Sequence, residues 1–395
     1  MAISDLSALP VVDVHAHPFL DRGAITAEDF VNFTAFGGGS EGFMEQGGID
    51  FTDEVRGELL RVKKDTLYFR RLIRDLAAFF GCEPTLDAVV AARNAAVASE
   101  GYTEYVRRLY GDAGLTGIVF DFGVPLPQLD VDAVKTEIPV TVAPIFRIEP
   151  LIADLLKTDI GWAEFKRTYD DTINQALTTE GFTGLKSIIA YRTGLDVSPL
   201  SRNEDQGAKA LDAIRRGLGG GSMKLLRDYL LCRALEHCMD HDVPMQIHTG
   251  MGDFEVNLVL CRPAYLMDLL RFPTFRACDV ILVHGGYPYS REAGYMANVL
   301  PRVYCDVSEG IPFAAHGARS IFREILEMTP VSKVVYGSDG YTVPEIIYSS
   351  AKLGKQALAQ VLDELVDDGF IDRGDVAEIA GMILAGTAGR LYRIG

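Results

Sequence analysis

The feature that most constrains the fold is an alternation repeated along the 395-residue chain. Short apolar segments rich in β-branched residues end in polar residues, and segments with the apolar spacing of helices lie between them. The first predicted strand ends at His17, and seven more cover residues 115–123, 139–150, 182–192, 243–252, 280–288, 303–310 and 333–341. Eight strands that alternate with helices predict an α/β fold, a closed parallel (β/α)8 barrel rather than an open doubly wound sheet.

Composition excludes several other classes of protein. The hydrophobic fraction of 48% is ample for a large core, yet no apolar run approaches the length of a membrane span. The net charge of −17 argues against nucleic acid or an anionic membrane as a partner. No signal peptide is evident, and the six cysteines form no C-x-x-C pair. We expect a cytoplasmic protein with reduced thiols that acts on a small molecule, with homo-oligomerisation left open.

One interval of the alternation is much longer than an ordinary crossover. The segments 52–81 and 85–111 between the first two strands are strongly helical by their apolar period. We therefore predict a barrel domain, residues 1–18 and 112–395, and a helical insertion, residues 19–111, that caps the barrel mouth. A separate helical domain is the alternative. The glycine-rich stretch 36–48 is interpreted as a mobile loop near the site, and it resembles no phosphate-binding loop.

Two histidines stand one residue apart where the first strand ends. The alternation of side chains in a strand places His15 and His17 on one face, about 7 Å apart along it. An isolated pair of this kind is most often two polar residues that open a loop. However, His248 and His284 end the fifth and sixth strands, and Asp339 ends the eighth. These ends meet on the catalytic face of a barrel, and imidazoles with a carboxylate suit zinc and similar ions, so the sequence predicts a divalent-metal site.

Two arginines also stand at predicted strand ends. Arg147 and Arg192 end the third and fourth strands, where each guanidinium could clamp a substrate carboxylate with two hydrogen bonds. The alternative is a structural ion pair with Glu149, Asp306 or Glu309. In a chain of net charge −17, two arginines at the mouth favour an anionic substrate.

The text around these residues resembles a known family. VDVHAHP, QIHTGMGD, VILVHGGYP and VVYGSDGY together resemble the amidohydrolase superfamily, specifically its Amidohydrolase-2 branch. GLKSIIAYRTGLDV, GSDGYTVPEIIY and LAGTAGRLYRI are similar to the amidohydrolase-like domain of FluG-type and nodulin-type glutamine synthetase fusions. The resemblance runs through all eight strands and the C-terminal helices, whereas the insertion carries less of it.

The resemblance implies a role for each polar residue at the strand ends. His15, His17, His248 and Asp339 would hold a catalytic divalent ion, most often zinc. Asp339 would also accept a proton from the activated water or pass one to the leaving group. His284 would ligate a second ion or, in a one-ion site, polarise the substrate or shuttle protons. One ion is favoured, and two stay open.

Lys186 bears on the number of ions. It lies in the fourth predicted strand, where some relatives carry a lysine that reacts with carbon dioxide to form a bridging carbamate. A protonated lysine cannot ligate a cation, whereas a carbamate offers two anionic oxygens. Against this, residues 187–192 still lie between Lys186 and the predicted strand end, which would bury it deep in the barrel. The alternatives are a lysine paired with Asp13 or Asp121, or a contact to a substrate carboxylate.

These observations predict a metal-dependent hydrolase. We expect it to cleave an amide-type C–N bond in a small, carboxylate-bearing substrate, and a γ-glutamyl amide is a candidate by association alone. A non-oxidative decarboxylase is the main alternative, because the same branch contains lyases with this ligand set. A uronate-isomerase-like enzyme is a lesser alternative, suggested by the long insertion. A metal-binding scaffold without turnover is the alternative from another class.

Overall fold

The computed structural model of the chain describes residues 4–37, 50 and 52–394. Its eight strands form one sheet in chain order, with all neighbouring strands parallel. They are β1 Val11–Ala16, β2 Leu115–Asp121, β3 Thr141–Arg147, β4 Leu185–Ser187, β5 Met245–His248, β6 Val280–Val283, β7 Val303–Asp306 and β8 Val334–Val335. Ala16 also bridges Gly340 in parallel, beyond the end of β8. The sheet therefore nearly closes on itself, and the predicted (β/α)8 barrel is confirmed.

Helices lie between the strands and cover the outside of the barrel. They are α1 Ala27–Thr34, α2 Asp53–Lys64, α3 Leu67–Phe80, α4 Leu86–Glu100, α5 Tyr102–Ala113, α6 Val131–Glu137, α7 Ile148–Leu156, α8 Trp162–Thr178, α9 Ile189–Arg192, α10 Glu204–Arg215, α11 Ser222–His241, α12 Met267–Arg271, α13 Ser290–Val299, α14 Gly310–Phe313, α15 Ala318–Leu326, α16 Pro344–Asp367, α17 Asp375–Gly381 and α18 Thr387–Tyr392. Short 3-10 turns cover Pro199–Arg202, Leu258–Cys261, Pro263–Leu266, His284–Gly286, Ala315–Gly317 and Val331–Lys333, and a π-helical turn covers Met382–Gly386. Among the described residues, no helix is both long and apolar enough to cross a bilayer.

The sheet separates two apolar layers. Outward strand residues such as Ile247 and Leu282 pack with the helices in the large core. Inward residues such as Val12 and Ile281 form a smaller cluster that includes Tyr392 of α18. The Tyr392 hydroxyl accepts a hydrogen bond from Nε2 of Gln246 at 2.6 Å, inside the barrel. The inward side chains thus fill the barrel interior at the amino ends of the strands, which leaves space inside the barrel at the carboxyl ends.

A bulge in β1 decides where its histidines point. Asp13 pairs with Ile118 of β2 and Ala16 with Phe120, so three steps on β1 match two on β2. One additional residue in a strand breaks the alternation of its side chains. Val14 and the following His15 therefore both face the interior, which alternation alone would forbid. The rings of His15 and His17 are 5.2 Å apart, on the same side as predicted.

Five helices, α1 to α5, lie between β1 and β2. Arg93 of α4 forms a buried ion pair with Glu345 of α16, Nε to Oε1 at 3.1 Å. The Tyr105 hydroxyl of α5 donates to the same oxygen at 2.8 Å. These helices thus share a core with the barrel helices, while the division into a barrel and a cap over residues 19–111 stays a prediction. Most of the glycine-rich stretch 36–48 lies outside the described residues.

Candidate metal centre and substrate pocket

The carboxyl ends of the strands enclose a cavity of about 570 Å³. All the residues that the sequence proposes for the site line this cavity: His15, His17, Arg147, Lys186, Arg192, His248, His284 and Asp339. Enzymes with this fold carry their chemistry at this end of the barrel. The structure therefore brings the predicted residues together, although their individual roles stay predictions.

His15, His17 and Asp339 converge in one corner of the cavity. Oδ1 of Asp339 lies 3.2 Å from Nε2 of His15 and 3.2 Å from Nε2 of His17. Asp339 has a φ of +56°, a left-handed conformation that is uncommon for non-glycine residues and that recurs at active sites. Burial raises the pKa of Asp339, but its hydrogen bonds with the two histidines outweigh burial and bring that pKa well below its usual value. The carboxylate is therefore ionised and available as a ligand.

His248 and His284 form a second pair, which is tied to the barrel by a chain of hydrogen bonds. Oγ of Ser308 donates to Oδ2 of Asp306 at 2.9 Å, so it accepts from Nδ1 of His284, also at 2.9 Å. Nε2 of His284 is then an acceptor, and the N–H at Nδ1 of His248 donates a hydrogen bond to it at 3.0 Å. Burial lowers the pKa of both histidines well below the usual value, so both rings are neutral. Among the described residues, this series of hydrogen bonds leaves the lone pair of Nε2 of His248 without a partner.

The donor atoms of the site fit a divalent metal. Nε2 of His248 is buried without a hydrogen-bond partner among the described residues, and the buried Oδ1 of Asp339 has only its 3.2 Å contacts with His15 and His17. Leaving a buried polar atom unpaired costs about 1–3 kcal/mol, so such atoms call for a partner. The ligating atoms of His15, His284 and Asp339 also lie within 4.8 Å of one another. Nitrogen and carboxylate oxygen at such spacing are the donors that divalent transition ions prefer.

Lys186 lies among these donors and not deep in the barrel. The fourth strand ends at Ser187, well before the predicted end at residue 192, so the sequence-based expectation of depth was wrong. Nζ of Lys186 is 3.0 Å from Nε2 of His15. Burial lowers the pKa of Lys186 to about 8. No carboxylate within the described ranges lies at ion-pair distance from Nζ, so neither Asp13 nor Asp121 is its partner.

Arg147 supports the metal corner through Asp121. Its guanidinium donates to both carboxylate oxygens of Asp121, from Nε at 3.1 and 3.0 Å. The Asp121 main-chain oxygen lies 3.3 Å from Nδ1 of His17 and can orient that ring. Arg147 thus forms a structural ion pair, but its partner is Asp121 and not one of the acids considered from the sequence.

Arg192 differs from Arg147 in both position and partners. It lies at the end of helix α9 instead of a strand end, because the chain turns into a helix two residues after β4. Its side chain is exposed at the cavity wall, and within the described part of the chain it forms no ion pair. It is therefore a free cation at the mouth.

Sequence analysis did not assign to the site several residues of the cavity wall, among them Tyr191, Asp253, Glu255 and Glu309, although it considered Glu309 as an ion-pair partner. Tyr191 packs its ring against that of His248, with centroids 4.5 Å apart, and its hydroxyl accepts from the main-chain nitrogen of Asp253 at 2.9 Å. Asp253 and Glu255 follow β5, and Glu309 follows β7. The signal was available, because the acids come shortly after segments already predicted as strands. Burial, together with Asp339 and Glu255, raises the pKa of Asp253 to about 6.

Comparison with known proteins identifies the family. The family model described as Amidohydrolase, Amidohydro_2, matches residues 171–394. The chain belongs to this amidohydrolase family. Over 98% of its length it is also 28% identical to protein fluG of Emericella nidulans, of which the match covers 46%. It therefore spans about half the length of that curated relative, and the predicted resemblance to the Amidohydrolase-2 branch is confirmed.

Solved structures agree with this family. A provisionally named metal-dependent hydrolase from Lactobacillus casei ATCC 334 is 27% identical with a TM-score of 0.82, over 99% of this chain and 98% of that one. A uronate isomerase from Bacillus halodurans C-125 (13% identity, TM-score 0.65, 98% and 94% covered) shares the fold. So does a glucuronate isomerase from Caulobacter crescentus (16% identity, TM-score 0.68, 98% and 92% covered). The amidohydrolase is thus an enzyme of this superfamily whose donor set supports a divalent metal.

Proposed function

We propose that this amidohydrolase is a metal-dependent hydrolase that cleaves an amide-type C–N bond in a small, carboxylate-bearing substrate. The observation that carries the proposal is the convergence of His15, His17 and Asp339 on one point of the cavity, beside the cationic side chains of Lys186 and Arg192. The similarity to the Lactobacillus casei protein, which is named for metal-dependent hydrolysis, supports it. The cavity of about 570 Å³ suits a small molecule.

The metal in this proposal is one zinc ion. His15, His17, His248 and Asp339 would hold it, because three imidazole nitrogens and one carboxylate match zinc's preferences. When bound, the ion supplies Lewis acidity that activates water for attack at neutral pH. A single ion is proposed because both ring nitrogens of His284 already have hydrogen-bond partners.

The other polar groups of the site either transfer protons or bind the substrate. The ionised carboxylate of Asp339 can take the proton that water loses and later give it to the leaving amine. His284 is neutral, and its Nδ1 proton is held by Ser308, so its ring presents a fixed face to the cavity. Arg192 and Lys186 can bind the carboxylate of the substrate, and binding at that end orients the amide carbonyl at the metal corner.

Product analysis tests the proposal. Zinc-loaded protein would be incubated with a panel of γ-glutamyl amides and aromatic carboxylates, and the released amine, ammonia and carbon dioxide would be measured. We expect amine or ammonia in stoichiometric amounts with the new carboxylate. The chelator-treated protein and the His15→Ala/His17→Ala variant are the controls, and both should be inactive. Turnover that persists in either control would sink the proposal.

A decarboxylase is the second candidate, and one observation favours it. Loss of carbon dioxide needs an acid that supplies a proton to the carbon left behind. Glu309 is buried in the cavity wall, and burial raises its pKa well above the usual value, so it can carry such a proton. Carbon dioxide without amine in the same assay would support this candidate over hydrolysis.

A further inference from the structure

The charged groups that follow strands β4 to β7 at the cavity fall into two sectors, whereas Asp21 and Arg22 line the cavity after β1. Strands β1 to β8 follow one another around the barrel, so the strand that precedes a residue gives its direction from the barrel axis. Lys186 and Arg192 come from β4 and the turn after it, on the cationic side. Asp253 and Glu255 follow β5, and Glu309 follows β7, on the anionic side. The mouth is therefore polarised along strands β4 to β7.

The anionic sector lacks cationic partners. Within the described ranges, none of Asp253, Glu255 and Glu309 forms an ion pair with a lysine or an arginine. Glu309 is only 4% exposed, and its Oε2 has no hydrogen-bond partner among the described residues. That oxygen lies 3.6 Å from Nδ1 of the neutral His284. Oε2 of Glu255 is also buried and unpaired.

Acids buried without a partner either stay protonated or carry an unfavourable charge, and a cation from outside the chain would let them ionise in a paired state. Burying a charge without a partner is strongly unfavourable, whereas a paired and hydrogen-bonded charge is tolerated. The sector can therefore accept an ammonium group, which offers three donors to several carboxylates at once.

The cationic sector lacks anionic partners among the described residues. Arg192 forms no ion pair within the described ranges, and Lys186 has no carboxylate at ion-pair distance there. Arg147, by contrast, is already neutralised by Asp121. On the β4 side of the cavity, a ligand carboxylate would thus meet Arg192 and Lys186. A ligand with only one type of charge would leave one of the two sectors unpaired.

We propose that the substrate is a zwitterion, an amide that contains both a free ammonium group and a free carboxylate. The ammonium binds Asp253, Glu255 and Glu309, and the carboxylate binds Arg192 and Lys186. The inference rests on the proposed function, since it names the substrate class for that hydrolysis. Amides of amino acids, either dipeptides or side-chain amides with free α-groups, have this chemistry and fit a cavity of about 570 Å³.

Four matched substrates test the ammonium and the carboxylate separately. Each chosen amide would be offered to the zinc-loaded protein in the free form, N-acetylated, with its carboxylate amidated, and with both groups blocked. We expect kcat/KM to fall at least ten-fold on N-acetylation and at least ten-fold on amidation. Asp253→Asn/Glu255→Gln should remove the preference for the free amine, while the exposed, distant Asp159→Asn should leave that preference intact.

Binding separates failure of this inference from failure of the proposed function. If no amide is hydrolysed, the proposed hydrolysis fails, and calorimetry with free and N-acetylated glutamate still tests the charge sectors. Tighter binding of the free amino acid, lost in the Asp253→Asn/Glu255→Gln variant, supports the zwitterion. Equal binding or equal turnover of the N-acetylated form overturns it. Loss of one metal equivalent in that variant also overturns it, because the acids would then be metal ligands.

Discussion

The two histidine pairs at the barrel mouth differ in what their nitrogens contact. Nε2 of His15 and Nε2 of His17 both lie 3.2 Å from one carboxylate oxygen of Asp339. His248 and His284 instead contact each other, Nδ1 to Nε2 at 3.0 Å. The first pair aims two nitrogens at one point, whereas the second pair is a hydrogen-bonded chain.

The difference teaches that the number of histidines at a site is not the number of metal ligands. In the second pair, Ser308 fixes the proton on Nδ1 of His284, and His284 in turn fixes the proton on Nδ1 of His248. Only Nε2 of His248 is left free, and it is buried and unpaired. The four imidazoles therefore offer three nitrogens to an ion, and the fourth ring orients one of those three.

Removal of the first pair should have the largest effect. In His15→Ala/His17→Ala, two of four proposed ligands are lost, so we expect no bound zinc and no measurable turnover. The fold should persist, because both residues lie at the mouth and not in the apolar layers. Metal content by elemental analysis and circular dichroism would check this.

A matched control comes from α11. His241 stacks with His237 on the outside of the barrel, with ring centroids 6.4 Å apart, and does not line the cavity. His241→Asn should keep a full equivalent of zinc and full turnover. Full zinc occupancy in the double variant would show that His15 and His17 are not metal ligands. It would contradict the proposed difference between the two histidine pairs.

Replacement of His284 should have the next largest effect. His284→Asn should retain the zinc, because His284 is an orienting ring in the proposed site, and should lose turnover by about 100-fold, the upper end of what a hydrogen-bond partner of a metal ligand contributes. Zinc per chain and kcat would be measured on the same preparation. Loss of about one metal equivalent would instead make His284 a ligand of a second ion, and unchanged turnover would exclude both roles.

A smaller loss is expected for Ser308→Ala. The serine hydroxyl touches neither the cavity nor a proposed ligand directly, but it fixes the proton of His284. Ser308 acts one contact further from a proposed ligand than His284 does, so we expect a loss of about 10-fold, the lower end of the range for partners of ligands. Ser308→Thr keeps a hydroxyl and should recover much of the loss. Equal activity of Ser308→Ala and the parent would show that the chain from Asp306 does not orient the pair.

The ends of strands were the part of this site that the sequence could predict. Strand periodicity and the fold rule that strand ends share one face were sufficient to group His15, His248, His284 and Asp339. Both depend on local sequence, where apolar segments end abruptly in polar residues. For the same reason the resemblance to the family was visible, since it was carried by the segments around these residues.

The rest of the site depends on contacts between distant residues. The bulge in β1 is defined only against β2, through Ala16 and Phe120. The short β4, which brings Lys186 to the cavity, ends where α9 begins and not where the apolar run ends. The partner of Arg147 is Asp121, 26 positions earlier in the chain. No local pattern specifies such pairings, because they arise from the register of neighbouring strands.

We expect the smallest effect from added bicarbonate. This experiment tests whether the two histidine pairs hold one ion or two. Nζ of Lys186 lies 3.0 Å from Nε2 of His15, so a carbamate on this lysine would place two anionic oxygens beside the first histidine pair. The carbamate and the two histidine pairs could then hold two ions between them. Formation of a carbamate needs the neutral amine, and burial lowers the pKa of Lys186 to about 8, which makes that form accessible near neutral pH.

However, the second histidine pair offers one free nitrogen, because His284 has both of its ring nitrogens engaged in hydrogen bonds. We therefore expect one zinc per chain, with no change after bicarbonate and excess zinc, and no mass increase on Lys186 under native conditions. A second equivalent that appears with bicarbonate and is absent in Lys186→Met would show that the two pairs hold one ion each.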